Sequence, residues 1–343
     1  MNAFLADDRD DADEQTVEKL LSRPQYGERW GRHWMDVWRY SDWYGRRQVN
    51  DVRNSYPHIW RWRDWIVRSL NGDKGYDRMI KEMLAADEID PENDENIVAL
   101  GFIVRNWFSL NYDQWMKDLV EHTGKAFSGN RLNCAHCHDH KYDPISQEEY
   151  FRFRAFFEPI ELRHDRVPGG PPLTKYKRYL PGSGASLKPI AAGLARIFDT
   201  NLDTKTYMYQ LGDSRNRFDR PPVEPGVPAI LGGRPLKIER VELPPKAWYP
   251  GLKAFVHQEE AGKREADLAK ARETLQKARG LVQAAQKELT DAKAAAEPGA
   301  SKSKQNTQAV KTAEQELAAA RLTLIVNEIN MARAERAARA HCR

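Results

Sequence analysis

The sequence is poor in cysteine, with only three in 343 residues. Two of them, Cys134 and Cys137, belong to one short stretch, and the third, Cys342, stands next to the last residue. Three cysteines cannot build a disulfide framework, so the class of small disulfide-stabilised domains is excluded. A packed core must hold the chain together instead, and its length leaves room for one large or two modest domains.

The sequence also lacks an apolar run long enough to cross a bilayer, and charged residues make up 30% of it. We therefore predict no transmembrane segment. The formal net charge is only +4, and lysine and arginine are scattered rather than clustered, so nothing indicates a nucleic-acid partner. A glycine-rich phosphate loop and a nucleophile motif are also missing.

Residues 1–14 lack the basic start, the apolar stretch and the small-residue cleavage site of a secretory signal peptide. Residues 334–343 stop inside a helical repeat without a capping residue. We therefore expect the chain to be a piece of a longer protein, truncated at both ends.

Residues 133–144, NCAHCHDHKYDP, concentrate two cysteines and three histidines. Cys134, Cys137 and His138 form a C-x-x-C-H motif. This spacing lets two thiols add to one haem while the following imidazole reaches the iron. We therefore predict a c-type haem, with Cys134 and Cys137 as thioether attachment points and His138 as an axial ligand.

A haem at this motif needs further partners. The second ring nitrogen of His138 requires an oxygen to fix its orientation, and Asp139 and Asp143 are close in sequence. The axial ligand on the opposite face must come from elsewhere in the chain. By residue type the candidates are His122, His33, His58 and Met116. A histidine or methionine there favours electron transfer, whereas an open position favours oxygen or peroxide chemistry.

Zinc is the alternative metal, because cysteine and histidine are also the ligands of structural zinc sites. Cys134 and Cys137 would then be joined by two histidines of the stretch or by one from outside it. The candidate histidines are His136, His138, His140, His122 and His164. A zinc site would make the protein a stabilised binding or scaffold module. A metal-dependent hydrolase is a third possibility, for which no general base is identifiable.

Tryptophan at helical spacing marks the region before the motif. Trp30, Trp34 and Trp38 recur every four residues, which places three rings on one helix face. Nine of the ten tryptophans lie between Trp30 and Trp115. Because rings at helical spacing usually belong to a core, we predict that residues 1–160 form an aromatic-rich helical domain that carries the C-x-x-C-H motif.

The motif is predicted to lie between two helices. Residues 111–127 have a helical pattern that ends near Gly129, and Ser146 and Glu149 have the spacing of a capping box at the start of the next helix. A position between two helices suits a site that needs fixed ligand geometry.

The composition changes after residue 160, because residues 161–257 contain repeated Pro-Gly, Pro-Pro and Gly-Gly pairs. Such pairs break regular structure into short pieces. We therefore predict a loop-rich linker with little β structure, of which residues 236–243 are a candidate strand because apolar and charged side chains alternate there.

Residues 258–343 carry two heptad patterns separated by a Pro-Gly turn. The seam positions of the first are Leu268, Ala271, Leu275, Ala278, Val282, Ala285, Leu289 and Ala292. Those of the second are Val310, Ala313, Leu317, Ala320, Leu324, Asn327, Met331 and Ala334. We predict an antiparallel coiled-coil hairpin that serves as a spacer or docks a protein partner. The predicted fold class is thus mainly α.

Five segments of the first half resemble a known family. They are YGERWGRHWMDVWRYSDW (26–43), WRWRDWIVRSLNGDKGYDRMIKEMLAADEI (60–89), VEHTGKAFSG (120–129), CAHCHDHKYDPI (134–145) and FRAFFEP (153–159). Together they resemble the planctomycete cytochrome-type family of unknown function, over about residues 17–159. The later segment LGDSRNRFDRPPVEPGVPAIL (211–231) resembles the linker that follows this domain in such proteins.

The resemblance implies haem, by analogy with the C-x-x-C-H after which the family is named. It also implies a long exported protein, often with a cytochrome c domain before this one and a second domain of unknown function after it. We therefore expect a periplasmic or otherwise exported location, and a redox partner or neighbouring domains as partners. The expected function is electron transfer or an oxidoreductase step, in a setting that resembles polysaccharide-breakdown systems. Whether the protein is an enzyme stays open.

Overall fold

The computed structural model describes residues 2–41, 58–105, 111–170, 192–233, 236–296 and 304–341. Two compact units, Met1–Pro250 and Gly251–Arg343, each contain an apolar core of their own. Helices dominate both units, so the predicted mainly helical fold class is confirmed. Predicted features at Trp43, residues 171–191, the Pro-Gly turn of the hairpin and Cys342 lie outside the described residues.

The elements are numbered in chain order. The helices of the first unit are α1 Asn2–Leu5, α2 Ala12–Leu21, α3 Pro24–Val37, α4 Trp60–Asn71, α5 Tyr76–Ile89, α6 Asp94–Ile97, α7 Gly101–Arg105, α8 Tyr112–Ser128, α9 Gln147–Arg154 and α10 Pro245–Trp248. The strands are β1 Ile160–Asp165 and β2 Leu194–Asp199. The second unit consists mainly of α11 Ala254–Ala294 and α12 Lys304–His341.

Helices α3 and α4 approach closely because α3 carries glycine where the two meet. A Cβ atom on Gly27 would lie 2.5 Å from the carbonyl oxygen of Val67, so no larger residue fits there. Trp38 is buried and stacks on Trp34 with ring centroids 5.1 Å apart. Trp30 is 51% exposed, so only part of the predicted tryptophan face belongs to the core.

The region predicted as a linker contributes to the core of the first unit. Strands β1 and β2 pair antiparallel, with Ile160 opposite Asp199. Core residues from this region are Leu162, Leu194, Ile197, Met208 and Tyr209. The two units divide after Pro250, whereas the sequence placed boundaries after residues 160 and 257.

The predicted strand at residues 236–243 is wrong, because this segment has no regular secondary structure. Its alternating pattern does not bury one face: Leu236, Ile238 and Val241 are 49%, 57% and 50% exposed. Alternation predicts a strand only where a neighbouring strand is available to pair with it.

Buried charged side chains attach α9 to α8. The Arg154 guanidinium is almost fully buried and donates to Asp113 at 2.6 Å and to Glu158 at 2.9 Å. The surrounding carboxylates outweigh the cost of burial and raise the pKa of Arg154. Truncating one partner of such a buried network is strongly destabilising, so these bonds fix the orientation of α9.

The second unit is the predicted antiparallel hairpin. Each of the sixteen predicted seam positions is buried or half-buried. Ala285, Leu289, Ala313 and Leu317 form the centre of its core. The heptad prediction is therefore confirmed. Among the described residues no helix is both long and apolar enough to cross a membrane.

Candidate cofactor site

The C-x-x-C-H motif comes shortly after α8, which ends at Ser128 and is followed by Gly129 in the left-handed conformation, with φ 69°. Cys134–His136 forms one turn of 3-10 helix. Cys134 is the first residue of this turn, and Cys137 is the residue that follows it. Cys134 is exposed, Cys137 is half-buried, and neither forms a disulfide.

Hydrogen bonds fix both ends of the motif. At its start, the Asn133 side-chain amide donates to the Glu121 carboxylate on α8 at 2.7 Å. At its end, the Asp139 carboxylate accepts from the backbone N–H of Gln147, the first residue of α9, at 2.7 Å. The predicted capping box of Ser146 and Glu149 is present and starts α9. The turn is thus held between two helices, as predicted.

The buried side chain of Gln147 ties the motif to a later segment. Its Nε2 donates to the carbonyl oxygen of His136 at 3.1 Å and to that of Tyr209 at 2.9 Å. Gln147 thereby supplies a hydrogen-bond donor to two backbone carbonyl oxygens, those of His136 and Tyr209. The sequence gives no signal for this role, because a glutamine in the first turn of a helix is usually exposed.

Residues 209–212 cover the inner side of the site. Gly212 has φ 74°, and a Cβ atom there would lie 2.4 Å from His136 Cε1 and 2.9 Å from Cys137 Sγ. Only glycine fits this approach. The neighbouring Leu211 is also left-handed, with φ 49°, and is 80% exposed. The Pro-Gly pattern predicts this segment as part of the linker and carries no signal for its contact with the motif.

His138 is exposed, and its Nδ1 lies 2.7 Å from the backbone carbonyl oxygen of Asp139. A carbonyl only accepts, so Nδ1 carries a proton, and in the neutral ring the lone pair is on Nε2. The oxygen that orients the ring is thus the backbone carbonyl of Asp139, one of the two residues considered, rather than a carboxylate. Nε2 is the nitrogen that a metal would take.

His136 points into the core rather than outward. Its ring lies against Tyr150 and Phe151, with centroid distances of 5.2 and 6.1 Å. Its Nδ1 is 3.5 Å from the Cys137 sulfur. Burial lowers the pKa of His136 to about 4, so the ring is neutral at physiological pH. The ring thus packs the motif against α9.

His140 stabilises the turn that follows the motif. Its Nδ1 accepts a hydrogen bond from the backbone N–H of Asp143 at 2.9 Å. That bond places the ring proton on Nε2, the opposite tautomer from His138. Metal binding through Nε2 would require the proton to leave and the turn to lose this bond.

The candidates from outside the motif occupy different surroundings. His122 on α8 is half-buried, and burial, helped by the charge of Arg39, lowers its pKa to about 3. His33 is exposed on α3, and Met116 is fully buried on α8. The described part of the chain contains no cluster of three or more His, Cys, Asp or Glu side chains that could hold a metal ion.

His58 and His164 form a separate pair. Their ring centroids are 5.7 Å apart, and burial lowers the pKa of each to about 4. His164 is on β1 and is 2% exposed. The pair is thus neutral and largely enclosed within the first unit.

Comparison with known proteins bears on the same part of the chain. Residues 1–162 match the model of the PSCyt2 family, a protein of unknown function (DUF1549). The match supports the resemblance to a cytochrome-type domain of unknown function. The matched range covers residues 134–138 and ends before Tyr209 and Gly212, which lie against the motif. No curated protein and no solved structure matches the chain.

The geometry of the PSCyt2-matching region can be compared with the needs of haem and of zinc. Covalent haem needs two thiols and an adjacent imidazole with a nitrogen free to bind iron, and Cys134, Cys137 and His138 are residues of these types. Tetrahedral zinc needs four converging ligands, but His136 is buried and His140 has the opposite tautomer. The two cysteines and the imidazole that covalent haem requires are thus neighbours in one short segment, and the described residues bring no three ligands together as zinc would require.

Proposed function

We propose that the first unit attaches a c-type haem and takes part in electron transfer or in an oxidoreductase step. Cys134 and Cys137 would form the two thioether bonds, and His138 would be the axial ligand through Nε2. When bound, the haem would supply one-electron redox chemistry. The protein would act in an exported assembly, with a redox partner or neighbouring domains, in a setting like that of polysaccharide-breakdown systems.

The observation that carries the proposal is the bond between His138 Nδ1 and the Asp139 carbonyl oxygen at 2.7 Å. Haem-ligating and metal-ligating histidines normally donate their second nitrogen to such an acceptor, which fixes the ring and raises its basicity. Here the bond exists on the histidine of the C-x-x-C-H motif, while His140 has the reverse pattern. The name of the matching family, PSCyt2, agrees with this proposal.

The chain also holds the backbone of the motif in place. Gln147 and Asp139 bind the turn to α9, Asn133 binds it to α8, and Gly212 packs against its inner side. The exposed position of Cys134 and His138 leaves the proposed attachment face open to a partner. Surface exposure of this kind suits the exchange of electrons with another protein or domain.

The test is expression with an export signal in a host that matures c-type cytochromes. The protein is then denatured, and its pyridine haemochrome spectrum is recorded after reduction. We expect covalent haem in the natural sequence and none in the double variant Cys134→Ala/Cys137→Ala. Cys342→Ala, the same change outside the motif, should keep the haem.

Two histidine variants separate the axial ligand from its neighbour. His138→Gln should abolish or alter the visible spectrum of the native protein, whereas His140→Gln should leave it unchanged. A natural-sequence protein without covalent haem but with one equivalent of zinc would overturn the proposal in favour of a zinc-stabilised module.

A further inference from the structure

Leu211 is an exposed leucine in an unfavourable backbone conformation beside the candidate site. Its φ is 49°, and it is 80% exposed. Of the four described residues other than glycine that have a positive φ, Leu211 is the one with an aliphatic side chain. The left-handed region is unfavourable for a residue with a Cβ atom, and glycine would avoid this cost. A leucine with this exposure also gains little from burial, which indicates that its side chain serves a bound group rather than the turn itself.

Hydrogen bonds hold the chain on both sides of Leu211. The carbonyl oxygen of Tyr209 accepts from the backbone N–H of Gly212 at 3.3 Å, and the backbone N–H of Gln210 donates to the carbonyl oxygen of Asn216 at 2.8 Å. An unfavourable backbone conformation persists where the surrounding structure determines it, and such positions cluster at functional sites. The side chain of Leu211 is thus presented at a fixed place.

That place is close to the sulfur of Cys137. A Cβ atom on Gly212 would lie 2.9 Å from Cys137 Sγ. A C–C bond is about 1.5 Å long and consecutive Cα atoms are about 3.8 Å apart, so Leu211 Cα lies within about 8 Å of this sulfur. In the proposed thioether attachment, the edge of the haem macrocycle is bonded to the same sulfur. An apolar side chain is therefore held beside the point where an apolar ring would be attached.

We propose that Leu211 is a haem-covering residue, whose side chain packs against the haem bound at Cys137 and keeps water from that part of the macrocycle. This inference rests on the proposed function, because it requires haem at the motif. Burial of the leucine against the ring offsets the cost of its backbone conformation. An apolar surrounding also disfavours the additional charge of ferric iron, so Leu211 raises the reduction potential.

The first test compares Leu211→Gly in the haem-loaded full chain and in the haem-free double variant Cys134→Ala/Cys137→Ala. Glycine adopts the left-handed conformation freely, so in the haem-free chain the thermal midpoint of the first unit should not fall. In the haem-loaded chain the lost contact should lower the midpoint by about 2–4 °C. The control is Leu202→Gly, at a turn position of the first unit that is 46% exposed, and it should change the midpoint equally in both chains.

The reduction potential provides the second test. Spectroelectrochemical titration of the haem-loaded chain should give a lower potential for Leu211→Gly than for the natural sequence. Leu211→Met keeps an apolar side chain and should retain the potential, as should Leu202→Gly. A pyridine haemochrome spectrum checks that every variant carries the same amount of covalent haem.

The outcomes separate this proposal from the one on which it rests. Equal midpoint changes for Leu211→Gly in the haem-loaded and haem-free chains, or an unchanged reduction potential, would overturn the role of Leu211 and leave haem attachment intact. A natural-sequence protein without covalent haem would overturn both proposals.

Discussion

The side-chain amide of Gln147 donates to the carbonyl oxygen of Tyr209, 62 residues further along the chain, at 2.9 Å. The same nitrogen donates to the carbonyl oxygen of His136 at 3.1 Å. One buried side chain thus joins the C-x-x-C-H turn to a segment that lies beyond the PSCyt2 match. The candidate site is therefore built both from residues within the PSCyt2 match and from residues that follow it in the chain.

Replacing Gln147 by leucine should destabilise the first unit. The variant keeps the side-chain volume but leaves two buried carbonyl oxygens without a donor, which costs about 1–3 kcal/mol. Urea unfolding followed by tryptophan fluorescence measures the loss. Glu148→Leu, at the exposed neighbouring position, should change the free energy of unfolding by less than about 0.5 kcal/mol. Similar losses of unfolding free energy in both variants would show that the two hydrogen bonds do not contribute to stability.

Replacing Gly212 by alanine should cost more than the same change at Gly129. Both glycines are left-handed, with φ 74° and 69°, so both variants lose about 1 kcal/mol of backbone preference. The new methyl group at residue 129 meets nothing, whereas at residue 212 it meets His136 and Cys137. The difference between the two free energies of unfolding measures the steric contact, and we expect at least a further ~1 kcal/mol. Equal losses would mean that residues 209–212 move away at little cost.

Local sequence patterns correctly predicted the structural features that depend only on residues close together in the chain. The heptads gave every seam position of α11 and α12, and the capping box gave the start of α9. These features depend on residues three to seven positions apart, so a single sequence contains enough information to recognise them.

Long-range contacts could not be predicted in the same way. The pairing of β1 with β2 and the contact of Gly212 with His136 join segments that are far apart in the chain. Pro-Gly pairs mark residues 161–257 as irregular, but irregular segments can still contribute side chains to a core. The exposure of Trp30 has a related cause, because helical periodicity does not tell how far the neighbouring elements extend.

The buried carboxyl group of Asp87 should make stability depend on pH. Burial, with smaller contributions from Glu88 and Asp199, raises its pKa to about 7 from its ordinary value of 3.8. Between these values the folded state holds a proton that the unfolded state has lost, so stability falls as pH rises from about 4 to 7. Asp87→Asn removes this loss. Relative to the natural sequence, the free energy of unfolding of the variant should rise by about 2.5 kcal/mol between pH 5 and pH 8.

The same substitution at an exposed position of α5 provides the control for Asp87. A bond to Lys81 lowers the pKa of Asp77, so this carboxylate is ionised in both states above pH 5. Asp77→Asn should therefore give a stability difference that does not vary between pH 5 and 8. Chemical denaturation at several pH values measures both variants, and parallel profiles for the natural sequence and Asp87→Asn would contradict the assignment.

Truncation distinguishes the observed division of the chain from the boundary expected after residue 160. A chain that ends at Pro250 keeps the whole core of the first unit, and we expect it to unfold cooperatively. A chain that ends at residue 160 loses five core residues, including Leu162, Ile197 and Tyr209, and would expose the apolar surface that they cover. At about 1.5–3 kcal/mol for each buried side chain, this loss is comparable with the whole free energy of unfolding of an ordinary domain. Thermal unfolding followed by near-ultraviolet circular dichroism compares the two chains. Cooperative unfolding of the shorter chain at an unchanged midpoint would show that residues 161–250 are a linker after all.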